Sequence, residues 1–227
     1  MIDIKNWMKD FVAVLDEAFG DRIIFAGLQG SYGRGEATED SDIDVVVIFD
    51  QLHAADLDIY DQAVSKLPYR ELLCGFVSGQ DELKNWEIGD LFQFCADTTA
   101  YRGDLESIVP LGGKEAAQRA ALSAGCNLYH GCVHNILHEK SDDILRDLYK
   151  TAAFAVRAVH YLKTGIYIKE SRSLIRQVMP QERAVLDGLA ELKDTRQIIG
   201  EDFDRLSERL LCWAAELIRE YGEMERK

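Results

Sequence analysis

The sequence predicts an α/β (α+β) fold in its first part followed by an all-α helical bundle, and three observations carry that prediction. Two runs rich in β-branched residues, Arg22 to Leu28 (RIIFAGL) and Ile43 to Phe49 (IDVVVIF), read as buried strands on either side of a glycine-rich connection, Gly30-Ser31-Tyr32-Gly33-Arg34-Gly35. A third candidate strand, Tyr69 to Val77 (YRELLCGFV), follows a helical stretch closed by Pro68. After the breakers Arg102-Gly103, Pro110 and Gly112-Gly113, the apolar spacing becomes helical and stays so. The division falls at 1–112 and 113–227.

The elements follow in order. Asp3 caps a first helix in which Trp7, Phe11, Val12, Leu15 and Phe19 form one apolar stripe, ended by Gly20. His53 to Leu67 suits a helix between the second and third strands, Asp81 to Trp86 a short one, and Leu91 to Cys95 a buried segment of open type. Lys114 to His138 predicts one long helix or two abutting ones. Ser141-Asp142 caps the next, which runs to about Lys163 and closes at Gly165. Further helices are expected at Glu170 to Val178, Gln181 to Lys193 and Glu201 to Tyr221. With no internal repeat and no Pro/Ser-rich linker, the two parts are expected to pack together and to hold the site in a cleft between them.

The chemistry concentrates at the glycine connection and the strand after it. Residues two apart on a strand project from one face, so Asp42 and Asp44 point the same way at the mouth of the second strand. Two adjacent carboxylates repel unless a cation lies between them, and hard oxygen ligands suit Mg²⁺, which commonly bridges to substrate phosphates. Gly30, Gly33 and Gly35 lack a Cβ, so the backbone there can take positive φ and approach a polyphosphate closely, while Ser31 adds a hydroxyl and Arg34 a permanent charge. The loop is neither a Walker A loop nor a dinucleotide fingerprint.

Gly30-Ser31, followed at the right distance by Asp42-x-Asp44, resembles the signature of the nucleotidyltransferase superfamily related to DNA polymerase β. The later helices, with Phe154-Ala-Val-Arg-Ala-Val-His160-Tyr-Leu-Lys-Thr-Gly165, are similar to the substrate-binding or HEPN-like bundle of the kanamycin-type aminoglycoside nucleotidyltransferases and related bacterial proteins. The resemblance implies a small mixed-sheet nucleotidyltransferase domain, with Asp42 and Asp44 carrying one or two Mg²⁺ ions. It also implies an NTP, ATP by preference, as co-substrate, its phosphates lying over Gly30, Ser31, Gly33, Arg34 and Gly35. The implied reaction moves an NMP to a hydroxyl of a small acceptor such as an aminoglycoside-like compound.

That superfamily usually places a third acid on the next strand. Glu71 is the only acid in Tyr69 to Val77, and Asp61, Asp90 and Asp97 rank below it. In the kanamycin-type enzymes an early bundle helix supplies a glutamate as general base, whereas Arg119 to His138 holds no acid at all. Cys126, His130, His134 and His138 instead recur every four residues along one helical face, and His130 is the base candidate among them. Arg157 and His160 stand three apart, closer than the HEPN ribonuclease spacing, which disfavours RNA cleavage.

Bulk properties limit the alternatives. The 227 residues are 47% hydrophobic and carry a net charge of −14, which argues against a general affinity for nucleic acid and agrees with a neutral or cationic acceptor. No apolar run approaches the ~18 residues of a membrane span, and the amino terminus lacks a signal-peptide pattern, so the expected location is cytoplasmic. The five cysteines are scattered without a C-x-x-C pair and are expected to be small buried side chains. A homodimer is compatible with the sequence. Two other readings stand: an antitoxin-like enzyme that AMPylates a protein, and a non-catalytic nucleotide-binding regulator.

Overall fold

A computed structural model describes residues 2–110, 112–194, 198 and 200–222; Met1, Leu111 and residues 223–227, which the sequence-based division includes, lie outside the described residues. The chain forms two compact units, Met1–Glu87 with Phe94–Leu111, and Ile88–Gln93 with Gly112–Lys227.

The first unit begins with helix α1 (Ile4–Phe19), whose N-cap Asp3 accepts a hydrogen bond from the Asn6 amide and whose C-cap Gly20 takes φ 58°. Its buried stripe is Trp7, Met8, Phe11, Leu15 and Phe19. Met8 takes the place expected of Val12, which is only half-buried, because the face touching the sheet lies one residue further round the helix. Strands β1 (Ile23–Leu28) and β2 (Ile43–Phe49) pair antiparallel, joined through the short helix α2 (Gly30–Arg34). Helix α3 (Ala54–Val64) leads to β3 (Leu73–Gly79), which pairs parallel with β2. After α4 (Gln80–Lys84) and α5 (Ile88–Asp97), β4 (Thr99–Arg102) pairs antiparallel with β1 and completes the mixed sheet, in the order β3-β2-β1-β4.

Both faces of β2 are covered, which is why it reads as a continuous β-branched run. Ile43, Val45, Val47 and Phe49 pack with α1, while Val46 and Ile48 on the opposite face are fully buried as well. Truncating Ile48 to Ala is expected to cost about 2–5 kcal/mol. Asp44 shares the Val46–Ile48 face at the point where it opens to solvent. Helix α5 was left open by the sequence because it serves two cores: Ile88–Gln93 belong to the second unit and Phe94–Asp97 to the first.

The second unit is helical: α6 (Lys114–His134), continued by a π-turn (Asn135–Glu139), then α7 (Asp142–Thr164), the single turn α8 (Ser171–Leu174), α9 (Pro180–Asp194) and α10 (Gly200–Gly222). Ser141 caps α7 through its hydroxyl and Gly165 closes it at φ 76°, as the sequence predicts. Small residues let the helices approach closely: Ala116, Ala117, Ala120 and Ala121 on α6 are buried, and a Cβ on Gly125 would sit 3.0 Å from that of Leu217 on α10. Arg157 and His160 are core residues here. Arg157 donates to the carbonyls of Ala153 and Lys169, and burial holds the His160 imidazole below its ordinary pKa. Among the described residues no helix is long and apolar enough to cross a membrane.

The cysteine expectation is corrected. Only Cys132 is buried; Cys74, Cys126 and Cys212 are exposed, since each lies on the outward side of its strand or helix, and Cys95 is intermediate.

Candidate active site

The glycine connection folds as a five-residue helix instead of an open loop. Its amides explain the shape. Gly33 N–H donates to Gln29 O (2.9 Å), Gly35 N–H to Tyr32 O (3.2 Å) and Glu36 N–H to Ser31 O (2.8 Å), and Gly35 ends the turn at φ 73°. The N–H groups of Gly30, Ser31 and Tyr32 lie in the first turn, outside the helical ladder. Gln29 N–H donates to Asp44 O (2.8 Å), which fixes the start of α2 against the start of β2.

Two glycines face a close neighbour where a Cβ would go. Gly30 has φ +65°, and a Cβ there would overlap the Asp44 carboxylate. A Cβ on Gly33 would lie 3.0 Å from Leu28 O. Gly35 needs its positive φ but has open space where a Cβ would go. The first glycine is therefore the one in direct contact with the acidic pair.

Asp42 is exposed and Asp44 half-buried. Burial first, then the charges of Asp42 and Asp97, push the Asp44 carboxyl above its ordinary pKa of 3.8, and the Arg34 charge opposes them. An acidic pair whose inner member is held so unfavourably by burial and like charge fits a divalent cation. Among the described residues no three His, Cys, Asp or Glu side chains are grouped to hold a metal. Two hard carboxylates suit Mg²⁺, which commonly keeps several waters and binds substrate phosphates.

Arg34 is engaged within the protein. Its Nη1 donates to Asp97 Oδ2 at 2.6 Å and its Nε to Glu36 Oε2 at 3.4 Å. Asp97 is buried, and its Oδ1 has no hydrogen-bond partner. Gln29 Nε2 donates to Phe94 O (3.0 Å) and Thr98 Oγ1 (2.6 Å), so both ends of α2 are fastened to the segment Phe94–Thr98.

Of the residues expected from the sequence, Gly30, Ser31, Gly33, Arg34, Gly35, Asp42 and Asp44 stand together in the first unit. Glu71 does not lie in a strand. It sits exposed in a 3₁₀ turn, Arg70–Leu72, because Tyr69 takes a left-handed conformation and Leu72 N–H turns back to Tyr69 O, delaying β3 to Leu73. The residue of β3 level with Asp44 is Cys74, which sequence reasoning passed over. His130 belongs to the second unit, on the exposed side of α6, with ring centroids 6.3 Å from His134 to His130 and 5.0 Å from His134 to His138. Asp97, ranked low in the sequence, proves to be the acid that faces Arg34.

Residues 8–92 match the family model described as a nucleotidyltransferase domain. That match covers the glycine turn and the paired aspartates of the first unit, so residues 8–92 are similar to a nucleotidyltransferase domain. Among solved structures, the chain is similar to the spectinomycin adenyltransferase AAD(9) from Enterococcus faecialis, crystallised with ATP and spectinomycin, with a TM-score of 0.57 and 14% identity, covering 91% of this chain and 98% of that one. At that identity the likeness is one of fold. No curated protein sequence matches the chain.

Proposed function

We propose that the protein transfers an NMP from an NTP, ATP by preference, to a hydroxyl of a small neutral or cationic acceptor, with Mg²⁺ at Asp42 and Asp44. The observation that carries this is the contact between Gly30 and Asp44, which joins the glycine turn and the acidic pair into one site. The fold neighbour solved with ATP and spectinomycin supports the substrate class, as does the net charge of −14.

In this reading the first-turn N–H groups of Gly30, Ser31 and Tyr32, with the Ser31 hydroxyl, receive the phosphate oxygens. Asp42 and Asp44 are the residues that would hold the Mg²⁺ ion. A bound Mg²⁺ supplies charge neutralisation at the α-phosphate during in-line attack. The acceptor hydroxyl loses its proton to Glu71 or His130, and pyrophosphate leaves.

The test is to incubate purified protein with each NTP, Mg²⁺ and a panel of hydroxyl acceptors that includes aminoglycosides and spectinomycin, and to follow pyrophosphate release. Acceptor-dependent release is expected. Release with tRNA or a partner protein alone would overturn the acceptor class, and NTP binding without any turnover would favour the regulator reading.

A further inference from the structure

We propose that Asp97 is a positioning residue which, through its ion pair with Arg34, holds the α2 turn in its nucleotide-binding shape; this rests on the reading of the turn given above. The pair is shielded: the Arg34 side chain is 14% exposed and that of Asp97 6%. At such exposure, removing one partner leaves an uncompensated charge, so the pair constrains where α2 lies more strongly than a surface bridge does. Two further links run from α2 to the same segment, from Gln29 Nε2 to Phe94 O and to Thr98 Oγ1. One link set grips the N-cap of the turn and the other its last residue. Between them, a Cβ on Gly33 would make a tight 3.0 Å contact with Leu28 O.

The partner that the geometry gives Asp97 is Arg34, whose Nη1 lies 2.6 Å from its Oδ2. Its bond to the Arg34 guanidinium uses Oδ2, and its buried Oδ1 has no donor within reach. The placement assigns Arg34 the work of a brace: its guanidinium is turned to Asp97 and Glu36 and keeps the turn seated.

The experiment uses Asp97→Asn, Arg34→Gln, the double variant, and the milder Asp97→Glu and Arg34→Lys in case a charge-removing change unfolds the chain. Amide hydrogen exchange is read at Gly33, Gly35 and Glu36 without ligand, and Mg·ATP affinity and KM for NTP and acceptor are measured on the folded variants. The expected result is faster exchange at those three amides in both single variants. Mg·ATP binding weakens about tenfold, equivalent to about 1.4 kcal/mol, with KM for the acceptor unchanged and the double variant no worse than the weaker single one. Asp97→Glu and Arg34→Lys, which keep the charges, should fall nearer to wild type. Wild-type exchange in folded Asp97→Asn overturns the brace. So does normal Mg·ATP binding in Asp97→Asn beside lost binding in Arg34→Gln, which would make Arg34 a direct phosphate ligand. Faster exchange in the variants of a protein that binds no nucleotide would leave the brace standing and remove the nucleotide reading.

Discussion

Asp44 on β2 and Cys74 on β3 are partners in the parallel register, so their side chains leave the sheet on the same face. The position beside the half-buried member of the acidic pair is thus held by an exposed thiol, not a third carboxylate. If nucleotide and cation occupy that face, Mg·ATP should slow alkylation of Cys74 while leaving exposed Cys126 and Cys212 in the second unit unaffected. Peptide mapping after timed labelling measures all three at once. Equal labelling of Cys74 with and without Mg·ATP would argue against a site at this edge of the sheet.

The glycines separate into two kinds. Gly30→Ala meets both a positive φ and the Asp44 carboxylate, and is expected to lose at least 1–2 kcal/mol of stability, to order of magnitude, together with Mg·ATP binding. Gly35→Ala meets only the φ cost of roughly 1–2 kcal/mol, since no atom occupies the space. It should lower the melting temperature yet bind nucleotide when folded. Thermal melts paired with calorimetry check this, and equal binding loss at both positions would contradict it.

For turnover, Asp42→Asn combined with Asp44→Asn should abolish catalysis with the fold kept. Deprotonation of the acceptor is divided by two further changes, Glu71→Gln and His130→Gln. The residue that acts as base should lose about 10²–10⁴-fold in kcat with NTP affinity little changed. Wild-type rates in both would assign the base elsewhere.

A pH prediction follows from the other end of β2. Asp56 on α3 accepts from Arg22 Nη1 (2.6 Å) and Nη2 (2.8 Å) and from the His53 amide (2.8 Å). The Arg22 hydrogen bonds first, then the His53 one, lower its pKa from 3.8 to about 2. A lowered carboxyl contributes stability that is present above its unfolded value and lost as pH falls through its folded one. Denaturant midpoints should therefore fall between pH 3.8 and about 2, and Asp56→Asn should flatten that portion of the curve. An unchanged slope would remove Asp56 from the acid response.

The sequence made some features legible and hid others for physical reasons. Continuous apolar runs exposed β1 and β2 with nearly correct ends, and the Asp-x-Asp spacing showed both carboxylates on one face. Glu71 misled because strand composition begins before the backbone does, and the left-handed Tyr69 is not visible in residue types. Cys74 carries no local signal; its importance comes from strand register alone. Asp97 lies 63 residues from Arg34 in the chain, at the end of a helix whose apolar residues serve two cores, so no single period marks it.

That shared helix also bears on how such proteins can be recombined. Phe92 is fully buried in the second unit, its ring 4.9 Å from that of Tyr161 and 5.8 Å from that of Tyr167, while Phe94, two residues on, stacks edge-on with Phe76 in the first. A fragment ending near residue 112 would carry Phe92 away from its partners, and the remaining helices would lack a core side chain. The first unit is thus not a detachable cassette: grafting it onto another helical bundle requires that the recipient supply a pocket for Phe92 as well as a peptide bond.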